Sequence, residues 1–235
     1  MFSAWAANAV PVAEYTVSQI ILANKGFFLT SRIFKEKEHS KALDMFKNYC
    51  GNYGTRIGII GAGMIGKLVI KMLKSYKLNV KVFDPFLPDN TAEELGVEKV
   101  TLEELFSTCT VISNHIANNE QTKNMLDYKL FSLMPEYSTF LNTGRGAQVV
   151  EADLIKHLEE RPDVFAVLDV TEPEPPLDDS KFYDLENCIL TPHIAGSSGD
   201  EVSRMSEFMI EEFANYRENK LCRYEVTEKM LETMA

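Results

Sequence analysis

Two groups of residues in this chain have types and spacings suited to chemistry. The first is built on glycine: Gly61, Gly63 and Gly66 stand in G-x-G-x-x-G spacing, and Asp84 follows 18 residues later (84 − 66). In a strand–turn–helix setting, Gly61 permits the tight turn and Gly63 lets the backbone approach a pyrophosphate. Gly66 lets helix and strand pack closely. The unpaired N–H groups and partial positive charge at the helix start would face the phosphates. Asp84 can accept hydrogen bonds from an adenosine ribose. A ribose 2′-phosphate would be repelled there, and no Arg follows in DPFLPDN, which favours NAD over NADP.

The second group can handle a substrate. Arg145 lies between Gly144 and Gly146, so its backbone can turn sharply and aim the guanidinium inward. That planar, permanently charged fork suits a carboxylate and a neighbouring carbonyl oxygen. His193 follows Pro192, and an imidazole titrates near working pH, which makes it the natural general acid or base. A carboxylate beside it would stabilise the imidazolium. Glu172 and Glu174 both lie in the preceding acidic loop, and residue chemistry alone does not separate them.

These residues need a scaffold, and hydropathy patterning supplies one. The run Ile57 to Ile60 reads as a buried parallel strand, followed by a helix from about Gly63 to Tyr76 and a second strand, Val80 to Phe83. Further strands are expected at Val97 to Val100, Thr110 to Ser113, Ser138 to Asn142, Val164 to Val170 and Cys188 to Thr191. Helices are expected at Ala92 to Leu95, from a Thr101–Glu104 capping box to Ser107, and over Asp127 to Met134, Glu151 to Glu160 and Asp200 to Asn219. Before the glycine turn, Asn8 can cap a helix that ends at Gly26, and Ser40 to Tyr49 is amphipathic. Strands alternating with helices imply an α/β fold with a doubly wound parallel sheet. Ligands of such sheets bind outside the carboxyl ends of the strands. The glycine turn, Asp84, His115, Thr143 to Arg145, Asp169, Glu174 and His193 all fall at that one edge.

Composition narrows the partners. A formal net charge of −11 argues against nucleic acid and anionic membranes, and no run of about 18 apolar residues is present to span a bilayer. The four cysteines are widely spaced with no C-x-x-C pair, which points to reduced thiols in the cytoplasm and no metal site.

GAGMIG, Asp84, LNTGRG, LDVTEPEPP and TPHIAGS occur in the order and spacing of the D-isomer-specific 2-hydroxyacid dehydrogenases, and the chain resembles that family along essentially its whole length. The resemblance implies a Rossmann-type NAD-binding domain over residues 1–220, with 221–235 a tail left from the substrate domain. It makes Arg145 the substrate-binding arginine, His193 the acid/base and Glu174, immediately before Pro175, its partner. Asp169 matches the acid that holds the nicotinamide carboxamide. Met64, Ile65, Thr143 and the backbone from His193 to Gly196 match cofactor contacts. His115 matches a strand-end histidine, although Ala117 replaces the usual proline.

Most of the family's substrate domain precedes the long helix that begins here near Asn8, so about one small domain's worth of sequence is expected to be absent. The apolar faces of the first and last long helices are then expected to be exposed and to favour a homodimer. Two functions stay open: hydride transfer between a small 2-hydroxy acid and NAD, or a non-catalytic NAD-binding module of the same family.

Overall fold

Seven strands alternate with helices along the chain in the computed structural model, which describes residues 1–231. They are β1 (Tyr53–Ile60), β2 (Lys77–Phe83), β3 (Glu98–Lys99), β4 (Val111–Asn114), β5 (Thr139–Asn142), β6 (Phe165–Leu168) and β7 (Cys188–Leu190). All pair in parallel in the order β3-β2-β1-β4-β5-β6-β7. The winding direction reverses between β1 and β4, so the carboxyl ends of these two strands border the crevice where such sheets bind ligands. Every residue of β4, β5 and β6 is buried, because helices cover both faces.

The helices are α1 (Trp5–Ala23), α2 (Phe27–Lys35), α3 (His39–Phe46), α4 (Met64–Leu73), α5 (Asp89–Leu95), α6 (Leu102–Thr108), α7 (Tyr128–Phe131), α8 (Glu151–Glu160), α9 (Glu201–Arg217) and α10 (Glu228–Leu231). One core layer joins α1, α2 and α4 to the sheet through Val17, Ile20, Ile33, Ile57, Val69 and Leu73. The other joins α6, α7 and α8 to it around Phe106, Phe131 and Phe140, whose rings lie 5.3–6.4 Å apart in edge and stacked pairs. Among the described residues no helix is long and apolar enough to cross a bilayer.

The expected doubly wound sheet is present, with α8 on the expected bounds. Four local features differ from expectation. Asn8 is not a cap: α1 starts at Trp5, with Pro11 inside it, and the Asn8 side chain reaches across to the backbone of Ser197. The first helix ends at Ala23, just before Gly26, but an unforeseen helix, α2, follows at once. With φ +64° Gly26 is the left-handed pivot between α1 and α2, and a Cβ there would meet the Tyr49 ring at 2.3 Å. The box at Thr101 is half formed: Thr101 Oγ1 accepts from Glu104 N, while the Glu104 carboxylate accepts from Lys81 at 2.6 Å. Finally, the two long helices differ. α1 is buried along its length against α4 and the sheet. On α9, Ile210, Phe213 and Tyr216 are 68%, 60% and 63% exposed.

The segment after α9 folds back on it. Glu212, fully buried, accepts from the backbone N–H groups of Arg223 and Tyr224 at 2.9 Å. Phe2 forms an antiparallel bridge with Glu225, and Val226 N donates to Met1 O at 2.7 Å, so both ends of the described chain are tied together. The last four residues of the expected tail, 232–235, lie outside the described residues.

Candidate active site

The glycine turn is shaped by backbone contacts. Gly61 has φ +88°, and a Cβ there would sit 2.8 Å from the Ile116 backbone. A Cβ on Gly66 would lie 2.0 Å from the Gly61 carbonyl oxygen, so this turn closes only with glycine there. Gly63 differs: no described protein atom comes within 4 Å of its Cβ position. It is also the N-cap of α4, with no side chain capping the helix, so the first N–H groups of α4 are free to meet an anion. Met64 and Ile65 open that first turn. Asp84, at the end of β2, braces the turn: Oδ2 accepts from Ala62 N and Oδ1 from Phe86 N, each at 2.8 Å. Each oxygen keeps a lone pair for a further donor.

The histidine loop follows β7. His193 is in the left-handed region at φ +55°, a conformation that a non-glycine residue holds only when its surroundings impose it. Asp169, 2% exposed, imposes it. Its Oδ1 accepts from Thr191 Oγ1 at 2.6 Å and Ile194 N at 2.8 Å, and its Oδ2 from Ala195 N at 2.9 Å. Asn8 Oδ1 accepts from Ser197 N at 2.8 Å, and a Cβ on Gly196 would press on the same Asn8 side chain at 3.2 Å. Tyr15 OH lies 3.2 Å from Thr191 Oγ1.

Within this loop His193 Nδ1 lies 2.6 Å from Glu174 Oε1. An ionised carboxylate only accepts, so Nδ1 carries the proton and Nε2 is the nitrogen left to exchange one. Glu174, not Glu172, therefore makes the pair that residue chemistry had left undecided.

Arg145 sits on a turn pressed against the acidic loop. A Cβ on Gly146 would fall 1.9 Å from the carbonyl carbon of Thr171, so this close approach needs glycine. Arg145 is exposed, and its Nη1 donates to Gly144 O at 2.7 Å. Beneath it lies a buried cluster of amides. Asn114 Nδ2 donates to Asn142 Oδ1 at 3.0 Å and to Gln148 Oε1 at 2.5 Å.

His115 and Thr143 are at the strand ends as expected, but both are buried. His115 Nε2 lies 2.9 Å from Ser113 Oγ, and its Nδ1 lies 3.3 Å from Thr143 Oγ1, which in turn lies 3.2 Å from Thr16 Oγ1. Burial pushes the His115 imidazole down to about 3, so it stays neutral.

Residues 17–195 match the family model for the D-isomer specific 2-hydroxyacid dehydrogenase, NAD binding domain. The chain belongs to this family. It is 33% identical over 169 residues to a glyoxylate reductase of Korarchaeum cryptofilum, covering 72% of this chain and 51% of that one. It is 29% identical over 210 residues to a D-3-phosphoglycerate dehydrogenase of Archaeoglobus fulgidus, covering 88% of this chain and 39% of the other. In fold it resembles the D-mandelate dehydrogenase of Rhodotorula graminis, with a TM-score of 0.80 at 20% identity over 94% of this chain and 66% of that chain. The chain thus spans about one third to two thirds of the length of the curated relatives it matches.

NAD is the ligand of this family's domain, and the residues here fit it. The uncapped start of α4, the open space over Gly63 and the braced Asp84 carboxylate offer donors, room and an acceptor in the order a dinucleotide requires. Sequence reasoning missed Tyr15, Thr16, Asn142 and Gln148 and gave Asn8 the wrong task. A signal was present: Asn8, Tyr15 and Thr16 are spaced i, i+7 and i+8 on one face of α1. Asn114 and Asn142 likewise close two adjacent strands.

Proposed function

We propose that this chain carries the cofactor-binding and acid–base machinery of an NAD-dependent oxidoreductase acting between a small 2-hydroxy acid and its 2-oxo acid. The observation that carries this reading is the His193–Glu174 pair at 2.6 Å, with His193 on a loop anchored by Asp169 and Glu174 in the acidic loop that packs against the turn bearing Arg145. Bound NAD supplies the two-electron redox chemistry as hydride acceptor or donor. His193 Nε2 takes the hydroxyl proton in oxidation and returns it in reduction. Glu174 fixes the imidazole tautomer and stabilises its charged form. Arg145 swings from Gly144 O to pair with the substrate carboxylate. Asp169, Thr143, His115 and Gly196 shape the cofactor side of the same edge.

Residues 1–220 serve as the cofactor-binding unit and 221–235 as its tail. The apolar residues left exposed on α9 support a homodimer, and four free thiols support a cytoplasmic setting. A non-catalytic NAD-binding role is the second reading. It is favoured by the exposure of the His193 and Glu174 side chains, 46% and 43%, because hydride chemistry benefits from excluding water.

The test is reduction of a panel of 2-oxo acids followed by NADH absorbance. In the first reading His193→Asn lowers turnover by roughly 10²- to 10⁴-fold and Glu174→Gln by about tenfold or more, while NADH affinity stays within about twofold. NADH binding with no turnover by the unmodified chain selects the second reading.

A further inference from the structure

We infer that Gln148 is the positioning residue for Arg145: its buried amide holds the Arg145 backbone to the strand-end segment 114–116, so that the guanidinium moves on a fixed base. This rests on the reading of Arg145 as the residue that meets the substrate.

Gln148 is completely buried at the end of a short helical turn, Gly146–Gln148. A buried amide is costly unless paired, and an apolar residue would otherwise suit such a place better. Three of its four hydrogen-bonding capacities are used. Oε1 accepts from Asn114 Nδ2 at 2.5 Å and from Arg145 N at 3.3 Å, and Nε2 donates to Ile116 O at 2.6 Å. Asn142 completes the hold. Its Nδ2 donates to Arg145 O at 3.1 Å, and its Oδ1 accepts from Gly144 N at 3.1 Å.

Both backbone polar groups of Arg145 are therefore bound by side chains rather than by a sheet ladder. The following turn is closed by Val149 N donating to Gly146 O at 2.9 Å, but the Arg145 peptide groups themselves are held by these two amides. The backbone of Gln148 is anchored independently, since its carbonyl accepts from Leu126 N at 3.0 Å. The side chain thus reaches out from a fixed point. Ile116 also packs under Gly61, so one amide ties the arginine turn to the floor of the glycine turn.

The experiment uses the whole chain and needs no ligand for its first part. Amide hydrogen exchange should find Gly144 and Arg145 protected although they lie outside every strand and helix. Gln148→Met, which keeps the volume and removes the amide, should speed exchange at Arg145 by about tenfold or more while Phe140 and Leu141 in β5 are unchanged. Gln148→Glu keeps the acceptor for Arg145 N but sets its second oxygen against the Ile116 carbonyl, so protection at Arg145 should fall between that of Gln148→Met and the unmodified chain. With NADH present, Gln148→Met should weaken oxamate binding by about tenfold and leave NADH affinity within about twofold. An unprotected Arg145 amide in the unmodified chain overturns the inference, and so does faster exchange spread equally through β5. If exchange behaves as expected but the unmodified chain with NADH does not bind oxamate, the positioning role stands and the dehydrogenase reading fails.

Discussion

The two halves of the candidate site are held in place by different means. The cofactor side is local: residues 61–66 and Asp84 lie close in sequence, and glycine backbones packed against backbones set their shape. The His193 loop and Thr143 are instead held by side chains from distant parts of the chain, while the Arg145 turn is held by the amides of Asn142 and Gln148 close by. Asn8 reaches Ser197 across 189 residues, Tyr15 reaches Thr191 across 176, and Thr16 reaches Thr143 across 127. A backbone cradle tolerates most changes except added atoms. A side-chain scaffold tolerates changes in size better than the loss of a donor or acceptor.

Added atoms should therefore give the largest effects. Gly66→Ala drives a methyl to 2.0 Å from the Gly61 carbonyl oxygen, and Gly146→Ala drives one to 1.9 Å from the Thr171 carbonyl carbon. Neither backbone can yield cheaply, so each variant should lose about 3 kcal/mol or more in urea denaturation. Gly63→Ala should behave oppositely. With no described atom within 4 Å, it should cost less than about 1 kcal/mol. Titration of NADH fluorescence should nevertheless show about tenfold weaker binding, because the methyl occupies the place a pyrophosphate approaches. Equal stability losses in all three would erase the distinction between packing glycines and a ligand glycine.

Losing an acceptor should rank next. Asp169→Asn changes the size of the side chain hardly at all, yet one of its two terminal atoms must now present N–H groups to a donor. Either Ala195 N or the pair Thr191 Oγ1 and Ile194 N loses its acceptor. The expected cost is about 1–3 kcal/mol, with faster hydrogen exchange confined to residues 193–195. Unchanged exchange there would mean that the His193 loop is held by something other than this carboxylate.

A smaller effect should appear on acidification, through the buried relay of His115. Burial lowers its native value from 6.5 to about 3. Between those values the unfolded chain binds a proton that the native chain refuses, so stability rises with pH and is lost as pH falls below about 6.5. At about pH 5 this one group costs about 2 kcal/mol. His157, also held neutral chiefly by burial, acts in the same direction. Denaturation of His115→Gln at about pH 7 and 5 should show a shallower loss than the unmodified chain. An identical slope would remove His115 from the account.

The same contrast decides how much was legible in the sequence. The glycine turn could be read because its spacing is its mechanism, and the parallel sheet could be read from apolar runs such as Ile57 to Ile60 and Val164 to Leu168. His193 stood out by chemistry, while the family resemblance singled out Asp169 and chose Glu174 over Glu172, and the fold sets Glu174 against the imidazole. α2 was hidden because Gly26, a usual helix stop, here pivots one helix into another through a positive φ. Gln148 was hidden because a lone amide has no periodicity, and its partners Asn114 and Ile116 become neighbours only when β4 and β5 meet.

The mildest prediction tests that last distinction. Glu172 and Glu174 share one acidic loop, one charge and an exposed position, so any effect of general electrostatics on His193 should be shared between them. Only Glu174 contacts the ring, at 2.6 Å, whereas Glu172 lies beside Gly146, where its backbone nitrogen would meet an added Cβ at 2.5 Å. Exposed charges separated by water interact weakly and less so with salt, so Glu172→Gln should change turnover by less than about twofold at physiological ionic strength. A loss comparable to that of Glu174→Gln would mean that the loop acts as a diffuse negative field. The contact pair would then not be the element that holds the imidazole ready to exchange its proton.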